Sequence, residues 1–202
     1  IYFPFPIVVQ PSKEIDIAFA LSGTSRNADG TFAAMKNIVK AVIDKYGTGK
    51  TRYGLIVFGS TASVKVGFSD YFPSKDGLKN LVETFPRSSG SPTLHNALAE
   101  AKNLFANSGR SNAKKVLIVM VDEKSSSTPK DVKKEARLIH EKNVLIIAVN
   151  VGEGADPSDM DGVVSRNDNI FAVDTNVEPT TIVNGITSVI DKGNILLHIL
   201  LD

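Results

Sequence analysis

From Glu14 onward, short apolar runs alternate with segments whose apolar residues recur every three or four positions. The first run, Ile15 to Leu21, reads "IDIAFAL" and is a strand; after it, Phe32, Met35, Val39 and Val42 fall on one face of a helix. "YGLIVFG" is the second strand, and "SVKVGF" alternates after the short "GST" link, as the partner in a hairpin would. Helical periods follow around Lys75 to Glu83 and Pro92 to Ala106, the latter aligning Leu94, Ala97, Leu98, Ala101 and Phe105. "KVLIVMV" is apolar nearly throughout, as expected of a strand covered on both faces. Pro129 opens a helix that runs through Glu141, since proline is tolerated in a first helical turn. "NVLIIAVNV" and "NIFAVD" are two further strands, separated by a short helix near Pro157 to Val164, and a last helix spans Pro179 to Ile190. The alternation predicts an α/β fold: an open, mostly parallel doubly wound sheet with one antiparallel edge hairpin and helices on both faces.

The expected organisation is one domain over residues 14–192, with flanks of different character. Residues 1–13, opening "IYFPFPIVVQP" with three prolines, suit an extended linker or edge strand. Residues 193–202, "GNILLHILLD", form an apolar tail. The lack of an initiating methionine, of a charged-then-apolar signal and of a membrane-length apolar run suggests a domain from a longer or processed protein that does not insert into a membrane.

Composition narrows the chemistry. In 202 residues, 23 basic side chains nearly balance 22 acidic ones and are interleaved with them, so no electrostatic footprint for nucleic acid stands out. The absence of cysteine excludes disulfides, thiolate metal sites and cysteine nucleophiles. "GTGKT" at residues 47–51 lacks the earlier glycine of a phosphate-binding loop and lies between a helix and a strand, so it reads as a glycine helix stop. No paired acids or Ser-His-Asp arrangement has a recognisable spacing, which points away from an enzyme.

Ligands in such a sheet gather at the carboxyl ends of the strands. Three loops there carry side-chain oxygens: Ser22, Thr24 and Ser25 after the first strand, Thr93 before its helix, and Asp122 after "LIVMV". Hydroxyls and carboxylates are the ligands that magnesium and other hard divalent cations take. The same residues have a plainer reading as caps and turn residues that bond free backbone amides.

"DIAFALSGTS", "RYGLIVFGSTASVKVGFSDYFPSKDGLKNLV", "SPTLHNALAEA" and "KKVLIVMVDEKSSS" together resemble the von Willebrand factor type A family over nearly all of Glu14 to Lys192. The "VKVGFSDY" and "KDGLKNLV" phrasing is most similar to extracellular-matrix members: matrilins, collagen-associated A domains and mussel byssal-thread matrix proteins. The resemblance implies a Rossmann-like sheet bearing a metal-ion-dependent adhesion site, with Asp-x-Ser-x-Ser in the first loop, Thr in the second and Asp in the third. Those positions fall on Ser22, Thr24 and Arg26, on Thr93 and on Asp122.

Two of these substitutions oppose a cation. Ser22 lacks the carboxylate's charge, and Arg26 replaces a hydroxyl with a fixed positive charge. At about 4 Å and an effective dielectric near 20, a guanidinium beside each unit of cation charge costs roughly 4 kcal/mol. Ser25 and Glu123 are candidate substitute ligands, Arg26 is a candidate partner for Asp122, and Arg26, Glu123 and His95 are candidate rim residues for a ligand. The expectation is a degenerate metal site in a secreted, non-enzymatic adhesion module for an extracellular-matrix protein, most plausibly collagen, alongside neighbouring domains. The alternatives are a structural spacer or self-association unit with an inactive site, and an intracellular relative that works in complex assembly.

Overall fold

The computed structural model describes residues 14–24, 29–175 and 178–192. The expectations for the two flanks, and those for Ser25 and Arg26, lie outside these residues. Six strands form one sheet in the order β3-β2-β1-β4-β5-β6. They are β1 (Ile15–Ser22), β2 (Thr51–Phe58), β3 (Ala62–Val66), β4 (Lys114–Val121), β5 (Val144–Val151) and β6 (Ile170–Val173). β2 and β3 pair antiparallel, and every other neighbouring pair is parallel. The helices are α1 (Asp29–Tyr46), α2 (Lys75–Glu83), α3 (Leu94–Ser108), α4 (Pro129–His140) and α5 (Pro179–Lys192). The region expected to be helical near Pro157 is a shorter 3-10 turn, Pro157–Met160.

The two-residue period of the strands divides the core into layers. Ile17, Phe19 and Leu21 of β1 join Phe32, Met35, Val39 and Val42 of α1 and Ile186 and Ile190 of α5. Ala18 and Ala20 face the other way, onto Leu94, Ala97, Leu98 and Ala101 of α3 and Val132 and Ala136 of α4. Small residues dominate β1 on that second face, and Gly54 on β2 continues the trend: a side chain there would collide with Leu104 of α3. This lets α3 lie close to the sheet, which places its amino end beside the loops that follow β1 and β4.

Because β1 is sealed on both faces, a polar group on it must find a partner inside the protein. Asp16, fully buried near its start, does so with Arg110. The Arg110 guanidinium lies 2.7 Å from Asp16 Oδ1, its backbone amide donates to Oδ2 at 2.7 Å, and it also donates to the carbonyls of Ile15 and Lys50. The α1–α2 contact is tied differently, by exposed pairs in which Lys36 and Lys40 meet Glu83 and Lys75 and Lys79 meet Asp44.

Arg110→Ala strands the buried Asp16 carboxylate and is expected to cost about 3–5 kcal/mol, whereas Glu83→Ala at the solvated α1–α2 contact costs less than about 1 kcal/mol. Urea denaturation of the two variants measures the difference, and equal effects would contradict this division.

Candidate functional site

At the carboxyl end of the sheet, the end of β1 and the β4–α4 loop converge. Ser22 is the last residue of β1 and is fully buried. Its Oγ lies 3.4 Å from Thr24 Oγ1, and the Thr24 hydroxyl in turn donates to Glu123 Oε1 across the two loops. This joins two hydroxyls and a carboxylate into one chain of side-chain oxygens.

Asp122 lies beside them, only 3% exposed. Thr31, in the first turn of α1, donates from Oγ1 to Asp122 Oδ2 at 2.9 Å. The other oxygen, Oδ1, is buried and accepts no hydrogen bond among the described residues. Burial pushes the Asp122 carboxyl above its ordinary pKa, the hydroxyls of Ser22 and Thr31 oppose that shift, and the neighbouring Glu123 charge adds to it. The β5 exit loop closes over this point: a side chain on Gly154 would lie 2.5 Å from the Asp122 carbonyl oxygen, so only glycine admits the approach.

The Thr93 loop of the expected cluster is arranged differently. Thr93 is the N-cap of α3 by position, yet its side chain caps no amide. The serine run after Asp122 does that work from another loop. Ser125 Oγ accepts from the amide of Leu94 at 3.2 Å, and Ser127 Oγ accepts from the amide of His95 at 3.1 Å. Thr93 Oγ1 donates to the Ser91 carbonyl at 3.3 Å and lies 3.4 Å from Ser126 Oγ. His95 is held by the same run, its Nδ1 lying 3.0 Å from Ser127 Oγ. The run is anchored below: the Ser125 amide donates to Asp159 Oδ2 at 2.6 Å, and Lys124 pairs with Asp156 at 2.9 Å. Lys124, followed by the Ser158 contacts, holds the Asp156 carboxyl down to about 2.

The structure therefore brings Ser22, Thr24, Asp122 and Glu123 together, and ties Thr93 and His95 to the serine run. Thr93 makes no hydrogen bond to that quartet among the described residues. Its reading as a side-chain helix cap is corrected, because Ser125 and Ser127 supply the cap. Sequence reasoning also missed Thr31. Its signal was a hydroxyl in the first turn of a helix that follows the first oxygen-bearing loop. The signal for the serines was four consecutive hydroxyls, Ser125 to Thr128, ahead of Pro129.

As donors, two carboxylates and two hydroxyls suit a hard cation, and the unpartnered Asp122 Oδ1 is an acceptor such an ion would satisfy. The set is thin: no cluster of three or more His, Cys, Asp or Glu side chains suited to a metal occurs among the described residues. β1 contributes hydroxyls where a carboxylate would bring charge. The implied site is therefore degenerate, with weak rather than tight affinity as its chemical expectation.

Comparison with known proteins places this geometry in context. The profile of the von Willebrand factor type A domain matches residues 16–184. Human integrin alpha-X is 26% identical over 144 residues, covering 70% of this chain and 12% of that protein. The mouse collagen alpha-4(VI) chain is 24% identical over 156 residues, covering 76% of this chain and 6% of that one. The structure of proximal thread matrix protein 1 from the mussel byssus, with a zinc occupied MIDAS motif, superposes with a TM-score of 0.75 at 24% identity. That superposition covers 86% of this chain and 45% of the mussel chain, and it establishes the shared fold. The chain thus spans a minor part of the length of each relative.

The raised Asp122 carboxyl makes a signed prediction. In the interval between its unfolded and folded pKa, the native protein holds the extra proton, so stability falls as pH rises through that interval. Asp122→Asn removes the ionisation while offering an amide donor at the unpartnered oxygen's position. It is expected to raise the melting temperature at pH 7 and to flatten its fall between acidic and neutral pH. Calorimetry across pH checks this, and an unchanged or lower melting temperature at pH 7 would contradict it.

Proposed function

This chain belongs to the von Willebrand factor type A family, and from that premise we propose that it is a non-enzymatic adhesion module for an extracellular-matrix protein, with collagen as the candidate partner. The proposed domain is residues 14–192, and the proposed binding face is the loop cluster at the carboxyl ends of β1 and β4. One observation carries the proposal: the oxygen chain Ser22–Thr24–Glu123 lies beside the buried Asp122, with Glu123 half-exposed at the rim. Buried polar groups without partners are costly, and a cluster that keeps one beneath a partly exposed carboxylate is better explained by a ligand than by stability. The matrix setting is supported by the likeness to a collagen chain and to a byssal-thread matrix protein, and a secreted location follows as part of the proposal.

Asp122, Ser22, Thr24 and Glu123 would hold a divalent cation, whose chemistry is to offer positive charge to an acidic group of the partner. Without it, the residues still divide the work. Thr31 holds Asp122 in place, Ser22 and Thr24 orient the Glu123 carboxylate, and the serine run fixes the His95 rim against the same loop. Glu123 then presents an acceptor to a lysine, arginine or amide of the partner. Contacts of this kind require no ion, so divalent-metal dependence is weakened relative to a site with a carboxylate on β1.

Binding of the chain to immobilised fibrillar collagen, with magnesium and with a chelator, tests this directly. Glu123→Ala is expected to weaken binding about tenfold, the scale of one charge-assisted hydrogen bond, and the chelator to change it by less than that. Binding that is indifferent to both Glu123→Ala and Asp122→Ala would remove this face from the account. Complete loss with chelator would show instead a fully metal-dependent site.

A further inference from the structure

We propose that the base of the domain, at the amino ends of the strands, docks the acidic rim of a second copy of this chain, so that copies associate head to tail. The inference goes beyond matrix binding and does not rest on it. A groove of about 290 Å³ at the base is lined by Lys50, Arg52, Tyr53, Phe68, Tyr71 and Arg110. Its charges are not equally available. Arg110 is committed to Glu14 at 2.8 Å and to the buried Asp16 at 2.7 Å. The groove's other acid, Asp70, accepts the Gly67 amide at 2.8 Å. Lys50 and Arg52 are exposed and form no ion pair among the described residues. Tyr71 stands 85% exposed at the same groove, far more than the other exposed large hydrophobics, Val64 at 41% and Leu81 at 37%. A solvent-facing tyrosine that shares a groove with two available cations and with Tyr53 and Phe68 is the composition of an interface anchor, since tyrosine and arginine concentrate binding energy.

The opposite end of the sheet carries the complementary charge. Glu123 follows β4, Glu153, Asp159 and Asp161 follow β5, and Glu178 follows β6. The nearby Lys124 is occupied by Asp156. Glu153, Asp161 and Glu178 are exposed and pair with no cation among the described residues. With a net charge of only +1, the chain is not held apart from its copies by overall repulsion, and the unpaired exposed charges named at its two ends differ in sign. The surfaces that meet are different patches, so the contact is heterologous and extends into open chains rather than closing into a ring by necessity. A sulfated polysaccharide is the rival occupant of the groove. Two available cations are too short a row for it, and it has no use for Tyr71.

Sedimentation velocity on the full 202-residue chain tests the proposal. At about 0.01 M salt, where charges act over about 30 Å, the mean mass rises with protein concentration; at about 1 M salt, where they act over about 3 Å, it returns to the monomer. Lys50→Glu with Arg52→Glu, and separately Glu153→Lys with Asp161→Lys, each leave a monomer at low salt. Mixing the two variants restores association, because each supplies the face the other has reversed, and this recovery also shows that both are folded. A monomer at every concentration in low salt would overturn the proposal. So would association that survives both reversals or high salt, and so would a mixture that stays monomeric. Mass gained only on adding heparin would assign the groove to a polyanion and overturn it too.

Discussion

The structure depends on a central strand that has no face open to water. β1 lies between β2 and β4, and its side chains from Ile17 to Leu21 are all fully buried. Whatever is polar at its two ends must be satisfied internally, and the two ends meet that demand in opposite ways. At the amino end, the buried Asp16 is matched by a guanidinium, a backbone amide and no spare acceptor. At the carboxyl end, the buried Asp122 beside Ser22 receives the Thr31 hydroxyl and keeps one oxygen unpartnered among the described residues. The fold compensates one buried carboxylate, Asp16, completely and leaves the other, Asp122, incomplete, and the proposed function draws on that difference.

The same contrast explains the altered architecture of the site. Metal-ion sites in this family are implied to concentrate negative charge on the first strand's loop. Among the described residues the charge lies on the β4 side, in Asp122 and Glu123, and Ser22 and Thr24 answer it with hydroxyls. Shifting the charge to one side lowers the field available to a cation. The serine run completes the change by taking over the α3 amino end, so that Thr93 is linked to Ser126 and Ser91 rather than to the central quartet.

Much of the fold was legible because its signals are periodic. The α1 stripe of Phe32, Met35, Val39 and Val42 and the unbroken apolar run in β4 each had one physical solution, burial against a covered sheet. The pairing of Thr24 with Glu123 was not legible. It joins residues 99 positions apart through one side-chain bond, and only the substitute role of Glu123 could be inferred from charge. Thr93 misled as a cap because threonine before a helix usually is one. Local rules cannot see that serines 31 and 32 positions away have already satisfied the amides. Arg110 was missed for a similar reason: a loop arginine reads as solvated until the topology brings it over the start of β1.

We propose that a buried carboxylate held by the Thr31 hydroxyl, with its companion Glu123 bound to Thr24, makes a weak cation site rather than an absent or a tight one. Calorimetric titration of magnesium into the metal-free chain at neutral pH measures this most directly. The account predicts a dissociation constant of about 1 mM or weaker, at the loose end of oxygen-ligand sites, and its loss in Asp122→Asn. A constant near 10 µM or tighter would contradict it by showing a fully competent site. Heat that is unchanged in Asp122→Asn would contradict it by placing the cation elsewhere.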